Sequence, residues 1–305
     1  MENIKNGVWP TMITPFTEKD KIDYHGLEGL LEFYHKKGVA GVFAICQSSE
    51  MFNLSREEKK EMIHFITKNT PSDMQVVVSG HTGDTLKEQL RDAEEIMCEG
   101  VKAYVILPNR FAGAGESDDI LIERMGGFLN AFPGVPLGIY ECPYPYKRTL
   151  TPKILRWCIS TGRFQFIKDT CCDLKQIEEK LELTRAAGIK LFNANSATLL
   201  ESLKMGAQGY SGIMANIHPE FYVWLCDNFR KHPEKAERVQ QFIGTCSMAE
   251  YQYYPVNAKY SLFLQGVPIE IRSRILEEEQ FTERFKLEIR QLNQLSLWAR
   301  EKFSI

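Results

Sequence analysis

The sequence predicts an α/β protein of the (β/α)8 TIM-barrel class with a C-terminal helical extension. Three observations predict it. Eight short apolar runs rich in Val, Ile, Phe or Tyr recur up to about residue 216, as strands buried on both faces do. Amphipathic segments of helical period separate them, and eight strand–helix repeats are the count of a closed barrel. A doubly wound open sheet would show fewer strands and a Gly-rich first turn, whereas the first strand here ends in Thr14-Pro15-Phe16.

Each element has its own signal. The strands are expected at 8–14, 40–46, 75–80, 103–107, 135–140, 164–168, 189–192 and 209–213. Helices are expected at 24–37, 55–68, 85–99, 117–132, 173–187 and 197–205. Ser55, with Glu58 three residues on, has the form of a capping box. After Asn216 the strand signals stop, and 219–231, 233–251, 255–264 and 276–303 read as helices, several opened by a proline at the first turn. The organisation expected is a barrel over 1–216 that carries the active site and a helical region over 217–305. Glu277, Glu278 and Glu279 read as a solvated helix start.

Composition narrows the function. Thirty-seven Lys and Arg against 40 Asp and Glu leave a net charge of −3, which gives no electrostatic reason to expect a nucleic acid or an anionic membrane as partner. No window reaches the length of a membrane span, and the first residues lack a secretory pattern. The eight cysteines are scattered and form no CxxC pair, so reduced thiols in a cytoplasmic enzyme are expected, with neither a zinc site nor a disulfide scaffold.

In a barrel, chemistry sits at the C-terminal ends of the strands. Lys102 and Lys190 open their strands, whereas Lys168 closes the run Phe164-Gln165-Phe166-Ile167-Lys168. An ammonium there either pairs with Asp169 or another carboxylate, or sheds its proton and becomes a nucleophile suited to a ketone. Tyr140 ends the preceding strand, on the adjoining stave of the same mouth, and a phenol there can pack or can move a proton. Strand two runs into Cys46-Gln47-Ser48-Ser49-Glu50, where hydroxyls and backbone N–H groups either grip a carboxylate or cap the next helix. His81 is expected to be a satisfied core imidazole. Cys46 and Cys142 are expected to be small packing residues, since no His partner is evident, and the four tryptophans to be core or interface.

Taken in order, these residues resemble the marks of the dihydrodipicolinate synthase and N-acetylneuraminate lyase family of class I aldolase-like barrels. The resemblance spans nearly the whole chain: Thr14-Pro15-Phe16, the 46–50 turn, Gly80 to Gly83, Tyr140 with Pro143, Ile167-Lys168, and Gly206 with Gly209 to Asn216. The 28-residue interval between Tyr140 and Lys168 matches the family's interval between its catalytic Tyr and its imine-forming Lys. The resemblance implies a small 2-oxo acid held as an imine on Lys168, Tyr140 as proton shuttle, Ser48 and Ser49 on the carboxylate, and Ser211 as a further substrate contact. It implies no cofactor or metal, and a homotetramer whose 109–111 loop reaches toward a neighbour's site.

The departures from the family pattern bear on the substrate. Gln47 stands where the family's relay has a Thr, and Arg110 about where it has a second Tyr. Neither can pass a proton as a hydroxyl does. Pro145, not Arg148, falls at the position of the Arg that holds the second substrate's carboxylate in the synthases. Asn195 and Ser196 replace the acidic groups of sialate lyases. Gln47, Arg110 and Asn195 are therefore expected to meet the distal part of the substrate. The expectation is a Schiff-base lyase of aldolase or dehydratase type acting on pyruvate or a sugar-derived 2-oxo acid. Two alternatives stand beside it: 4-hydroxy-tetrahydrodipicolinate synthase, and a non-catalytic 2-oxo acid binding protein.

Overall fold

The computed structural model describes residues 3–305. Eight parallel strands are ordered β1 (Gly7–Val8), β2 (Gly41–Ala44), β3 (Gln75–Val78), β4 (Val101–Ile106), β5 (Leu137–Tyr140), β6 (Phe164–Asp169), β7 (Lys190–Asn193) and β8 (Gly209–Tyr210). Each pairs with its sequence neighbour from β2 through β8, and β8 returns to β1. The β1–β2 seam is closed by the Ala40 N–H to Val8 O and the Phe43 N–H to Pro10 O, both 2.9 Å, and by a parallel bridge between Thr11 and Phe43. Strand one is shorter than the apolar run 8–14 suggested because Pro10 has no N–H to give the ladder.

The barrel's helices are α1 (Tyr24–Lys36), α2 (Arg56–Asn69), α3 (Leu86–Ile96), α4 (Asp118–Ala131), α5 (Pro152–Thr161), α6 (Leu174–Thr184), α7 (Leu199–Met205) and α8 (Pro219–Asn228). The capping box at the start of α2 is formed: Ser55 Oγ accepts the Glu58 N–H at 3.1 Å and Glu58 Oε2 accepts the Ser55 N–H at 2.9 Å. Helix α5 was not singled out by the sequence pattern; Thr151 caps it and Pro152 opens it. Helix α6 gives way to a 3-10 turn over Arg185–Ala187 that stops at Gly188, whose φ of 70° suits glycine.

Beyond α8 come α9 (Pro233–Cys246), α10 (Val256–Leu264) and α11 (Glu283–Phe303). Two differ from expectation. The α9 segment, expected to run to 251, breaks into a 3-10 turn over Ser247–Tyr251. The last helix starts at Glu283, capped by Thr282, so Glu277–Glu279 precede it rather than open it.

The barrel interior is aromatic beneath the strand ends. Trp9, Phe166 and Phe192 meet edge-to-face at 5.9–6.0 Å. Gly138 of β5 leaves room for the Phe166 ring, which a Cβ there would overlap. One hydrophobic core joins the barrel to α8, α9 and α10, while Val256, Phe281 and Ile289 form a separate small cluster under α11. No described helix is long and apolar enough to cross a membrane.

Candidate active site

Strand register brings the two leading residues together. Tyr140 of β5 pairs directly with Lys168 of β6, and the Lys168 Nζ lies 3.8 Å from the Tyr140 ring centroid and 5.4 Å from that of Phe43. Both side chains are 4% exposed. Lys168 does not pair with Asp169. That carboxylate turns outward to the buried Lys180, which also holds Glu141 Oε1 at 2.5 Å. No hydrogen bond or ion pair to the Lys168 ammonium is present among the described residues. Burial therefore acts on it with little compensation and lowers its pKa to about 8, opposed only by more distant thiols and Glu250. Burial raises the Tyr140 phenol well above its ordinary value, with the neighbouring Cys142 and Cys46 thiols adding to the effect.

A cavity of about 250 Å³ opens over this pair. Its wall includes Gln47, Ser48, Thr170, Cys172, Asn195 and Gly212 from the barrel loops. The remainder comes from beyond residue 216: Glu250, Tyr251, Tyr254, Pro255 and Ile275. The mouth is thus completed by the C-terminal region.

The turn after β2 is bracketed by two residues in the left-handed region, Ile45 (φ 49°) and Glu50 (φ 58°). Such a conformation costs roughly 1–2 kcal/mol for a residue with a Cβ, and it is most unusual for a β-branched one. Between them Ser48 faces the cavity, its Oγ donating to Thr11 Oγ1 at 3.1 Å, with the Tyr254 phenol also beside both hydroxyls. Ser49 is placed differently from Ser48. It is fully buried behind the turn, where its Oγ donates to Met12 O at 2.6 Å and accepts the Cys46 N–H at 3.0 Å. The serine closes the turn and does not line the cavity.

The structure holds Glu50 itself as a clamp. Its carboxylate accepts from Lys259 Nζ at 2.8 Å, Ser273 Oγ at 3.0 Å and the Arg274 N–H at 2.6 Å. The turn after β2 is thereby tied to α10 and to the segment that follows it.

Of the other expected contacts, Gln47 and Asn195 line the cavity. Gln47 Oε1 accepts from the Cys142 thiol at 3.4 Å. Ser211 lies below, in a small apolar hollow under Lys168 with Phe43 and Phe166. Ser196 is spent on the Tyr210 and Tyr222 hydroxyls at 2.9 and 2.8 Å. Arg110 stands outside the cavity of its own chain. Its guanidinium donates to Thr82 O at 2.7 Å and pairs with Asp84, because Asn109 ties the loop's other side to the carbonyls of Cys142, Tyr144 and Tyr146.

His81 is a core imidazole satisfied on one side only: it is fully buried, its Nδ1 accepts the Leu107 N–H at 3.1 Å, its Nε2 has no hydrogen-bond partner among the described residues, and burial lowers its pKa to about 3. All eight cysteines are free, and burial pushes Cys142 up to about 11, so its thiol is protonated at neutral pH. Among the described residues one group of metal-ligating type converges, Glu141, Asp169 and Cys171. The Lys180 ammonium already sits among its carboxylates.

Glu250 is the charged cavity-lining residue from beyond 216 that the sequence pattern concealed, and Tyr254 is another lining residue it did not single out. Reading 233–251 as one helix continues the buried stripe of Ala236, Val239 and Ile243 through position 250 and gives no sign of a cavity there, whereas the 3-10 turn delivers Glu250 to it. The available signal was Pro255, four residues beyond the turn, since the residue before a proline is disfavoured in a helix.

Residues 5–280 match the family model described as Dihydrodipicolinate synthetase family. A 4-hydroxy-tetrahydrodipicolinate synthase from Methanococcus maripaludis is 25% identical over 268 residues, covering 86% of this chain and 89% of its own. A protein of the same description from Clostridium perfringens is 24% identical over 265 residues, covering 86% of this chain and 84% of its own. Among solved structures, a prophage protein of the dihydrodipicolinic acid synthase family from E. coli K12, in complex with pyruvate, superposes with TM-score 0.85. It is 20% identical and covers 95% of this chain and 98% of its own. A catalytic lysine mutant of Ruminococcus gnavus sialic acid aldolase gives TM-score 0.85 at 19% identity, covering 99% of this chain and all of its own.

Proposed function

The chain belongs to the dihydrodipicolinate synthetase family, whose members are lyases that work through a lysine imine, and we propose that Lys168 forms the imine here. The observation that carries this is the strand-end ammonium, buried against Tyr140 and Phe43, unpaired among the described residues, and open to a cavity. With its pKa near 8, about a quarter of Lys168 is neutral at pH 7.5, against roughly one part in a thousand at the ordinary value. The neutral amine attacks the C2 carbonyl of a 2-oxo acid, and water leaves as the imine forms. Tyr140 keeps its proton at neutral pH and supplies it to the departing oxygen, then takes one back as the carbon–carbon or carbon–oxygen bond breaks.

Ser48, with Thr11 beside it, addresses the substrate carboxylate, while Ser49 holds the turn in shape. Gln47 and Asn195 face the distal part of the substrate. The substrate class is pyruvate or a sugar-derived 2-oxo acid handled by aldol cleavage or dehydration. A second reading, condensation of pyruvate with aspartate semialdehyde, is favoured by the description shared by the curated relatives. Against it, Gln47 lines the cavity where a hydroxyl relay would start, and Arg110, at the position of the relay's second Tyr, has no hydroxyl to continue it. The protein is taken to be cytoplasmic and to assemble as a homotetramer.

Incubation with pyruvate and borohydride tests the assignment. One reduced pyruvyl group per chain is expected on the peptide containing Lys168, and labelling that persists in Lys168→Ala overturns it. Robust turnover of pyruvate with aspartate semialdehyde would promote the second reading.

A further inference from the structure

We propose that Glu250 is a specificity-determining residue that receives hydroxyl groups of the substrate's distal chain and selects polyhydroxylated 2-oxo acids over those bearing a second carboxylate. The inference rests on the imine reading of Lys168 and extends it to the outer half of the cavity.

The geometry comes from the break after α9. The turn Ser247–Tyr251 hangs over the mouth, and Glu250 lines the same cavity as Lys168, Tyr140 and Ser48. Its position there is held by Ser196, whose Oγ lies 3.4 Å from Oε1 and is itself anchored by the Tyr210 and Tyr222 hydroxyls. One carboxyl oxygen is thus occupied weakly, and no hydrogen bond to the other is present among the described residues. Glu250 makes no ion pair with any described residue either. Burial drives its carboxyl up to about 7, and only Ser196 and the Lys168 charge oppose that rise.

Once ionised, above about pH 7, the Glu250 carboxylate accepts hydrogen bonds from two vicinal hydroxyls and repels a second substrate carboxylate. The other groups around it agree with hydroxyl recognition. Asn195 and Gln47 present amides to the same space. The guanidinium of Arg110 does not enter this chain's cavity, being held by Thr82 and Asp84. Lys147 is the one lining residue of opposite tendency: it is exposed at the rim, with its Nζ donating to Thr170 O at 2.7 Å. Its ammonium is the route by which a dicarboxylate would be favoured.

The test uses the full chain and protection of Lys168 from pyruvate–borohydride labelling. A 2-oxo-3-deoxyhexonate serves as the polyhydroxylated probe and 4-hydroxy-2-oxoglutarate as the dicarboxylate. Each protection constant is divided by the same variant's own constant for pyruvate, which separates recognition of the distal chain from imine formation. The wild type is expected to prefer the hexonate at least tenfold. Glu250→Gln should narrow that ratio to below threefold, and Glu250→Asp, which withdraws the carboxylate by one methylene, should reduce it at least threefold. The Asp variant keeps the test alive if the Gln variant does not fold.

Equal or reversed preference in the wild type, no protection by either acid, or an unchanged ratio in the folded variants overturns the proposal. Failure of pyruvate itself to label Lys168 is a different result, because it removes the imine reading on which the proposal rests.

Discussion

Below pH 8 the Lys168 ammonium is charged in the folded and in the unfolded chain, but only the folded chain denies it water. Between about pH 8 and the ordinary lysine value near 10.5, the unfolded chain binds a proton that the folded chain does not, so stability contributed by this position rises with pH across that window. The shift corresponds to about 3 kcal/mol of destabilisation at neutral pH. Lys168→Met is therefore expected to be more stable than the wild type by about 3 kcal/mol at pH 7, with the difference vanishing as pH approaches 10.5. Urea denaturation across that range measures it, and a less stable variant at pH 7 contradicts the argument. The same displaced pKa sets the pH profile of pyruvate labelling, whose midpoint should fall near 8. Tyr140→Phe should still place the label on Lys168 but slow both its appearance and turnover, the latter roughly 10²- to 10⁴-fold, the usual worth of a positioned proton donor.

At the scale of elements, the site depends on two buried ion clusters that keep neighbouring segments in register. Lys180 of α6 joins Asp169, at the end of β6, to Glu141 after β5. That pairing leaves Lys168 without a counter-charge one residue away. Glu50 similarly joins the turn after β2 to Lys259 of α10, both side chains fully buried. Removing one partner of such a pair strands a charge, at a cost of about 3–5 kcal/mol. Lys259→Met should show that loss in urea denaturation, and adding Glu50→Leu should recover much of it, because a well-packed apolar pair can replace a buried ion pair. A double variant no better than the single one would mean that the other contacts of Glu50, with Ser273 and Arg274, dominate.

For the whole molecule, the cavity is a product of two regions far apart in the chain, with Glu250, Tyr254 and Ile275 facing Tyr140 and Lys168. The 109–111 loop is the part that does not meet its own cavity. Held by Thr82 and Asp84, Arg110 would meet a substrate by reaching a neighbouring chain's cavity. We therefore expect sedimentation at micromolar concentration to show at least twice the 35.1 kDa chain mass, with a tetramer as the full assembly. Arg110→Ala should then lower turnover of the preferred substrate while sparing pyruvate labelling. A species of 35.1 kDa alone removes any part for Arg110 in substrate contact.

By itself the sequence determined the barrel, because buried parallel strands must be apolar along their length and helices must repeat at 3.6 residues. It also located Lys168 and Tyr140, since barrel chemistry is confined to strand ends and both residues close apolar runs. The limits of β1 and the break after α9 were not legible in periodicity. Pro10 interrupts pairing without interrupting hydrophobicity, and the residues 247–251 keep a helical composition while turning more tightly. Only the tertiary structure decided that Ser48 faces the cavity while Ser49 faces the core, that Asp169 is claimed by Lys180, and that Glu250 lines the same cavity. Each of those outcomes depends on which distant group reaches a side chain first, and a linear pattern of polarity carries no distances between strands.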